Sequence, residues 1–491
     1  MMQTKKIMIA GGGPAGLTAA AELVENGHHV DVFEKDPVYV GGIARTAHYK
    51  GYRFDIGGHR FFSKSQEITD WWKKRLPDDF IQVRRLSRIF YGGKFYDYPL
   101  KAMNAFWNLG PINSFLCALS YAYVQVFPIR PEKSFQDWVT NRFGKRLFSI
   151  FFKTYTEKVW GMPCDEISAD WAAQRIKGLS LLKAVWFALM PQKGRGKDGQ
   201  VVKTLIDQFE YPRLGPGMMW EKTRDDIRAA GSEVHHGVEV IRLEREGNLI
   251  QRMITQDENG EEKSWEGDAF IVSMPLQETV RRIQPPLSEQ ALRAADQLKY
   301  RDFLTVALMV RKPELFPDNW IYVHDSGVKL GRIQNFNNWS QEMIPEEGVT
   351  CLGLEYFCFE GDGLWTMTDD ALIELGKKEL QQLGLVQSSD VFDGAVVRMP
   401  KSYPVYDEAY QDAVGTIRKE ITALENLEAV GRNGLHKYNN QDHSMMTALL
   451  AARNLMGEKY DVWQVNTDAE YHESGETNDQ AGRMVPGKAT T

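Results

Sequence analysis

The sequence predicts an α/β protein in three parts: a discontinuous Rossmann-like dinucleotide-binding domain, an inserted helical domain, and a substrate region built on antiparallel sheet. Three observations predict it. A glycine turn joins an apolar strand to an Ala/Leu helix before Gly27; a second strand, glycine turn and helix recur between Leu427 and Met456; the chain between them reads first as helices and then as strands. A cofactor fold drawn from both ends of one chain is discontinuous. At 491 residues the chain also exceeds the size at which one core keeps growing, and 43% hydrophobic residues can fill more than one.

Lys6-Ile7-Met8-Ile9-Ala10 has the apolar run of a buried parallel strand, and Leu17 to Asn26 reads as a helix ending at Gly27. Between them lie Gly11-Gly12-Gly13-Pro14-Ala15-Gly16. Gly11 permits the tight turn, Gly13 lets the backbone approach a pyrophosphate, Gly16 lets helix and strand pack closely, and the helix N-terminus attracts phosphate charge. The next strand, His29-Val30-Asp31-Val32-Phe33, ends at Glu34, where an adenosine ribose hydroxyl needs an acceptor. A lone glycine fingerprint fits any strand-to-helix turn. With its flanks it points to a dinucleotide, FAD or NAD.

Two more glycine clusters follow: Gly41-Gly42-Ile43-Ala44-Arg45-Thr46, and Asp55-Ile56-Gly57-Gly58-His59. The first resembles the segment that wraps the diphosphate in flavin amine oxidases, phytoene desaturases, protoporphyrinogen oxidases and UDP-galactopyranose mutases. The second resembles that superfamily's stretch past the isoalloxazine ring. The resemblance implies FAD, with Arg45 offering guanidinium donors to the diphosphate. Downstream, Leu427 to Arg432 reads as a strand into a glycine turn, followed by Asn439-Asn440-Gln441-Asp442-His443-Ser444 and the helix Met445 to Met456. In this superfamily the matching piece reaches the ribityl and pyrimidine end of the flavin, so Asp442 and Ser444 are expected there; Asp442 can also cap its helix. The cofactor set implied is Gly11, Gly13, Pro14, Ala15, Gly16, Glu34, Lys35, Gly41, Gly42, Arg45, Gly57, Gly58, His59, Val238, Gly431, Arg432, Asp442 and Ser444.

Phe151-Phe152-Lys153-Thr154-Tyr155-Thr156-Glu157-Lys158-Val159-Trp160-Gly161-Met162-Pro163 resembles the Trp-Gly-Met segment of UDP-galactopyranose mutases, and the likeness spans most of residues 5–460. It implies a pyranose/furanose rearrangement through a flavin N5–sugar adduct in cell-surface glycan biosynthesis, with an electron donor that keeps the flavin reduced. Carried over residue by residue, it places His59, Trp160, Arg432, Tyr438 and Asn440 at the chemistry. Phe62, Arg88, Tyr155, Arg175 and Tyr403 fall at the substrate, Tyr403 binding a phosphate.

Three departures weaken the match. Phe62 stands where the mutase pattern has a second histidine, Leu179 where it has an arginine, and Asn440 where it has an aspartate. Loss of a charge-assisted diphosphate contact costs about 1.5–3 kcal/mol unless another cation substitutes. Arg84, Arg85, Arg88, Arg175 and Lys437 are the candidates. The alternative activity is net oxidation of a sugar, amine or lipid, with hydride passing to FAD and on to oxygen or quinone; a flavoprotein acting only as a binding subunit is a third.

A net charge of −7 without a basic stripe argues against nucleic-acid binding. Cys117, Cys164, Cys351 and Cys358 show neither disulfide nor zinc spacing, which suits a reducing cytoplasm and no metal site. The amino terminus leads directly into the cofactor strand, so no signal peptide is expected. Ala102 to Ile129 carries no charged residue, but Gly110-Pro111 and Pro128 break it into pieces shorter than the ~20 apolar residues a bilayer needs, so a buried or interface-lying helix is expected. The apolar stretch Leu179 to Met190, between Lys177 and the Lys193–Lys197 loop, fits ordinary helix packing in the substrate domain or, with its basic flanks, a helix resting on the inner face of an anionic membrane. A polyprenyl phosphate would then carry the sugar, and the partner is a small-molecule or lipid-linked sugar.

The expected boundaries are 1–63, 205–299 and 425–460 for the FAD-binding domain, 101–192 for the helical domain, and 64–100 with 300–424 for the sheet region. A polar, disordered tail occupies 478–491.

Overall fold

The computed structural model describes residues 4–169 and 208–466. Its first layer is a five-stranded parallel sheet in the order Leu427–Ala429, Ala269–Val272, Lys6–Ala10, His29–Glu34, Glu233–His236. The amino-terminal strand is central: Ile7 pairs with Ala269 on one side and with Val30 on the other. The carboxy-terminal strand is the last in the sheet on the Ala269–Val272 side. The discontinuity expected from sequence is thus built by hydrogen bonds between distant segments. Helix Pro14–Glu25 packs on helix Gln441–Leu455, which is buried from Asp442 to Ala452 and so is apolar on nearly every face.

The second layer is a seven-stranded sheet in the order Val391–Pro404, Tyr300–Val310, Thr350–Cys358, Arg332–Asn335, Trp320–Val323, Ser87–Tyr91, Lys94–Asp97. Two adjacent interior strands, Tyr300–Val310 and Thr350–Cys358, are buried at every position. Helix Asp369–Gln382 packs against this sheet. The Ser87–Asp97 hairpin turns on Gly92 and Gly93, both at positive φ, and joins the sheet by parallel pairing with Trp320–Val323.

After this hairpin the chain runs through helices Ala102–Leu109, Pro111–Val126, Phe135–Phe143 and Lys145–Phe148, a π-helical turn Ser149–Lys153, and helix Thr154–Trp160. The break expected at Gly110 occurs, at φ 81°. Of the buried or interface-lying helix expected here, burial does not hold. Helix Ala102–Leu109 buries no residue, and Pro111–Val126 buries only Cys117 and Val124. Apolar composition predicts that a face avoids water but not what covers it, and these helices turn much of that face outward. No helix among the described residues is long and apolar enough to cross a membrane. The four cysteines are buried and form no disulfide. Arg175, Leu179 to Met190, the Lys193–Lys197 loop and the 478–491 tail lie outside the described residues.

Candidate active site

A cavity of about 2070 Å³ lies among the parallel sheet, the seven-stranded sheet and the helical segment. At its cofactor end the first glycine turn does what the spacing requires. Gly11 N donates to Phe33 O at 2.8 Å, so the turn closes onto the second strand. A Cβ on Gly16 would stand 1.9 Å from Gly11 O, whereas one on Gly13 would meet nothing nearer than Gly42 Cα at 4.0 Å. Gly16 therefore serves helix packing, and Gly13 keeps an open approach in the cavity wall. Gly41, at φ 98°, likewise serves packing, since a Cβ there would press Trp220 at 2.8 Å. Gly16 and Gly41 do not line the cavity; the other sixteen expected cofactor positions do, Lys35 and Val238 included.

Glu34 Oε2 accepts from Gly12 N at 2.8 Å and Oε1 from Asp36 N at 2.9 Å. Burial nevertheless raises its pKa. Arg45 is held by an ion pair with Asp36 and lies over the Tyr39 ring at 4.9 Å. Its Nε is buried with no hydrogen-bond partner among the described residues. Across the cavity, helix Gln441–Leu455 aims its N-terminus inward. Its cap is Asn440, in a capping box with His443, rather than Asp442, which is buried in the first turn. Both Asn440 and Asp442 line the cavity. Asn440 has a local duty that any short polar acceptor could perform.

The opposite end is aromatic and cationic. Trp160 is buried at the close of helix Thr154–Trp160, which Gly161 stops at φ 65°. Arg301 caps that helix from the sheet, Nε donating to Val159 O at 3.1 Å and Nη2 to Lys158 O at 3.2 Å. Lys158 Nζ, donating to the carbonyls of Val323, Asp325 and Leu330, pins the same turn, and burial lowers its pKa to about 8. Tyr155 stacks on His324 at 5.0 Å and 9°. Tyr403 stacks on Tyr438 at 5.6 Å and 25°.

Two guanidinium groups converge on that tyrosine pair. Arg332 pairs with the buried Glu355, and its Nη2 donates to Tyr403 OH at 3.1 Å. The Arg432 guanidinium lies 4.6 Å above the Tyr438 ring and 5.5 Å from that of Tyr403; its donors go to Asn439 O at 2.8 Å and Ser402 O at 3.0 Å. Glu355 also accepts from Gln334 Nε2 at 2.7 Å. The positive field reaches His59, on the cavity wall, whose pKa is pushed down to about 3 by burial first and then by Arg432 and Arg332. Burial likewise pushes the Tyr403 phenol up to about 12, so both groups are neutral at neutral pH.

Phe62 lines the cavity, as do Tyr155, Trp160, Tyr403, Arg432 and Tyr438. Arg88, expected at the substrate, does not: it donates to Asp318 from Nε at 2.8 Å and from Nη2 at 2.6 Å, and this bidentate ion pair occupies its guanidinium outside the cavity wall. Arg84 and Arg85 are also outside the cavity wall. Lys437 lines it, but its ammonium donates to Trp463 O and Val465 O. Of the cavity-lining cations that the sequence did not single out, Arg332 is the one that reaches Tyr403. Its signal was alternation: Arg332 and Gln334 share one face of a strand whose other positions are Ile333 and Asn335.

The profile of the family described as "Flavin containing amine oxidoreductase" matches residues 14–411. The chain belongs to that family. Among solved structures, a reduced UDP-galactopyranose mutase superposes with a TM-score of 0.79 at 22% identity, covering 98% of this chain and 99% of that one. Among curated relatives, a "Probable UDP-galactopyranose mutase" of Klebsiella pneumoniae is 26% identical over 182 residues, 34% of this chain and 44% of the relative. A 1-hydroxycarotenoid 3,4-desaturase of Flavobacterium sp. is 47% identical over 90 residues, 18% of each chain. The matched stretches span less than half of either relative.

The cofactor of this flavoprotein is FAD, and the residues present fit it. The orphaned Arg45 Nε, the open wall at Gly13 and the inward N-terminus of helix Gln441–Leu455 are donors and space suited to a phosphate-bearing group. Glu34 is a carboxylate acceptor at the end of the second strand.

Proposed function

We propose that this flavoprotein rearranges a sugar that leaves and rejoins an anionic phosphate or diphosphate carrier, in the manner of a pyranose/furanose mutase. The observation that carries the reading is the convergence of Arg332 and Arg432 on Tyr403 within one cavity wall. Two guanidinium groups face one carboxylate, Glu355, and among the described residues Arg432 is held by carbonyl oxygens alone. That excess of positive charge suits a phosphate. It disfavours the cationic amine of an amine oxidase and offers nothing to an uncharged polyene.

In this reading Gly11, Gly13, Pro14, Ala15, Glu34, Gly42, Arg45, Gly57, Gly58, Gly431, Asp442 and Ser444 hold FAD, which when bound and reduced supplies an electron pair to the anomeric carbon and is not consumed. Arg332, Tyr403 and Arg432 hold the carrier phosphate and stabilise the charge that develops as the glycosidic bond breaks. Trp160 and Tyr155 wall the sugar and exclude water. His59, neutral, accepts or donates one hydrogen bond at the reacting end.

A second reading, oxidation of a lipid, draws on the apolar stretch of cavity wall at Ile89, Leu100, Phe151 and Phe152. One experiment separates the two. The purified protein, reduced anaerobically, is incubated with UDP-sugars and polyprenyl-diphosphate sugars, and products are resolved by chromatography. Furanose formation that requires reduction supports the mutase; turnover only in the oxidised protein, with consumption of oxygen or quinone, rejects it.

A further inference from the structure

Among the described residues, helices Ala102–Leu109 and Pro111–Val126 carry the largest cluster of exposed apolar side chains. Ile112, Phe115, Leu119, Tyr123 and Val126 recur at helical spacing, so they form one stripe along Pro111–Val126. The stripe faces away from the core: Ile112 is 76% exposed, and Trp107 on the preceding helix 71%. Contiguous patches of this kind mark interaction surfaces rather than ordinary exposure.

The patch adjoins the cavity. The inner side of helix Ala102–Leu109 packs through Ala105 and Leu109 on Ile89, Tyr96 and Phe151, while Ala102 and Ala105 themselves line the cavity. Lys101 and Tyr98, also in the cavity wall, are exposed, Lys101 to 75%, so the cavity opens to solvent beside these helices.

The surroundings of the patch are basic. From Lys94 to Lys153 there are eight Lys and Arg residues against three acidic ones, in a chain whose net charge is −7. Exposed Lys101, Arg130 and Lys145 bracket the two helices. We propose that these helices seat the cavity mouth on the surface of an anionic lipid bilayer, the apolar stripe entering the interface and the basic rim meeting lipid phosphates. A second copy of the chain fits less well, because a two-fold contact would set the same positive rim against itself. The helices lie in the interface rather than span it, since neither is long enough to cross. The inference rests on the cavity being the substrate site, and it makes the carrier of the proposed sugar a lipid phosphate.

The test is vesicle binding, which needs no turnover and so can fail or succeed independently of the mutase reading. Flavin-loaded protein is floated with vesicles of phosphatidylcholine alone, or of roughly three parts phosphatidylcholine to one of phosphatidylglycerol. Binding to the anionic vesicles is expected. It should fall on the order of a hundredfold in the triple variant Phe115→Ser/Leu119→Ser/Tyr123→Ser. It should fall roughly twentyfold in Arg130→Ala/Lys145→Ala. Flavin content and circular dichroism should be unchanged in both, because the altered side chains are exposed. No vesicle binding, or binding indifferent to both variants, overturns the proposal. So does a dimer in solution that the triple variant dissociates while vesicles leave the parent protein unbound, which would make a second copy the occupant.

Discussion

Arg332 Nη2 donates to the Tyr403 hydroxyl at 3.1 Å, while Nε of the same guanidinium is paired with the buried Glu355. The fork is thereby fixed from two sides before any ligand arrives, and the phenol is held in its stack on Tyr438. Pre-organisation of this kind lets a charged group stabilise a developing anion without moving.

Removing only the hydroxyl, in Tyr403→Phe, should lower kcat/KM about tenfold, the worth of one charge-assisted hydrogen bond, and leave flavin content unchanged. Arg332→Met should lower it by a hundredfold or more and also destabilise the fold by about 3–5 kcal/mol, because Glu355 is left as an unpaired buried charge. Adding Glu355→Gln should restore most of the stability and none of the activity. Thermal unfolding and steady-state kinetics on the three variants decide the point; recovered activity in the double variant would contradict the assignment.

Gly13 and Gly16 should separate cofactor binding from folding. Gly13 has ordinary φ of −81° and open space around its missing Cβ, so Gly13→Ala should shift the stability of the flavin-free protein by no more than about 0.5 kcal/mol while abolishing flavin retention. Gly16→Ala forces a methyl onto Gly11 O and should cost about 1–3 kcal/mol as well as the flavin. Flavin absorbance and unfolding midpoints measure both. Full flavin retention by Gly13→Ala would remove this turn from the cofactor site.

His59 should not titrate in the range of an ordinary histidine. Its folded pKa of about 3 lies below the ordinary histidine value of 6.5, so between those values the unfolded chain takes up a proton the native one refuses. The contribution is present above pH 6.5 and is lost as pH falls toward 3. His59→Gln should make the protein less sensitive to acid in that window, as read by unfolding midpoints. The kcat/KM profile from pH 5 to 8 should show no limb that the substitution abolishes.

Glu428 works in the opposite direction. Burial raises its pKa to about 7 from 4.5, against the hydrogen bond that Asn454 Nδ2 donates at 2.9 Å. The native state holds this proton more tightly than the unfolded state, so the contribution is complete below pH 4.5 and is lost as pH rises through 7. Glu428→Gln should flatten that slope and stabilise the protein at pH 8 by about 1–2 kcal/mol, allowing for partial exposure. An unchanged midpoint at pH 8 would show that the carboxylate is ionised there at no cost.

Much of the cofactor half was legible before any coordinates. Gly11, Gly13 and Gly16 act over a few bonds, and a turn that only glycine can make is written in the residues that make it. The strand character of Lys6–Ala10 and Ala269–Val272 is equally local, since strands buried on both faces are apolar throughout. The substrate half was less legible. Arg88 and Arg332 are both arginines on strands, and alternation assigns each a face of its strand but not what that face meets; Asp318 and Glu355 decide their fates from positions more than twenty residues away. Asn440 and Asp442 traded the capping role because the helix begins two residues earlier than a cap at the acidic side chain would place it.

The sequence by itself determined that this chain builds a dinucleotide fold from both ends and carries aromatic side chains at Tyr155, Trp160 and Tyr403, because glycine geometry and apolar periodicity are properties of short segments. Only the tertiary structure decided which cations face the cavity and that helices Ala102–Leu109 and Pro111–Val126 turn their apolar side outward. Ion pairing and burial depend on what the rest of the chain brings alongside, and no local pattern contains that.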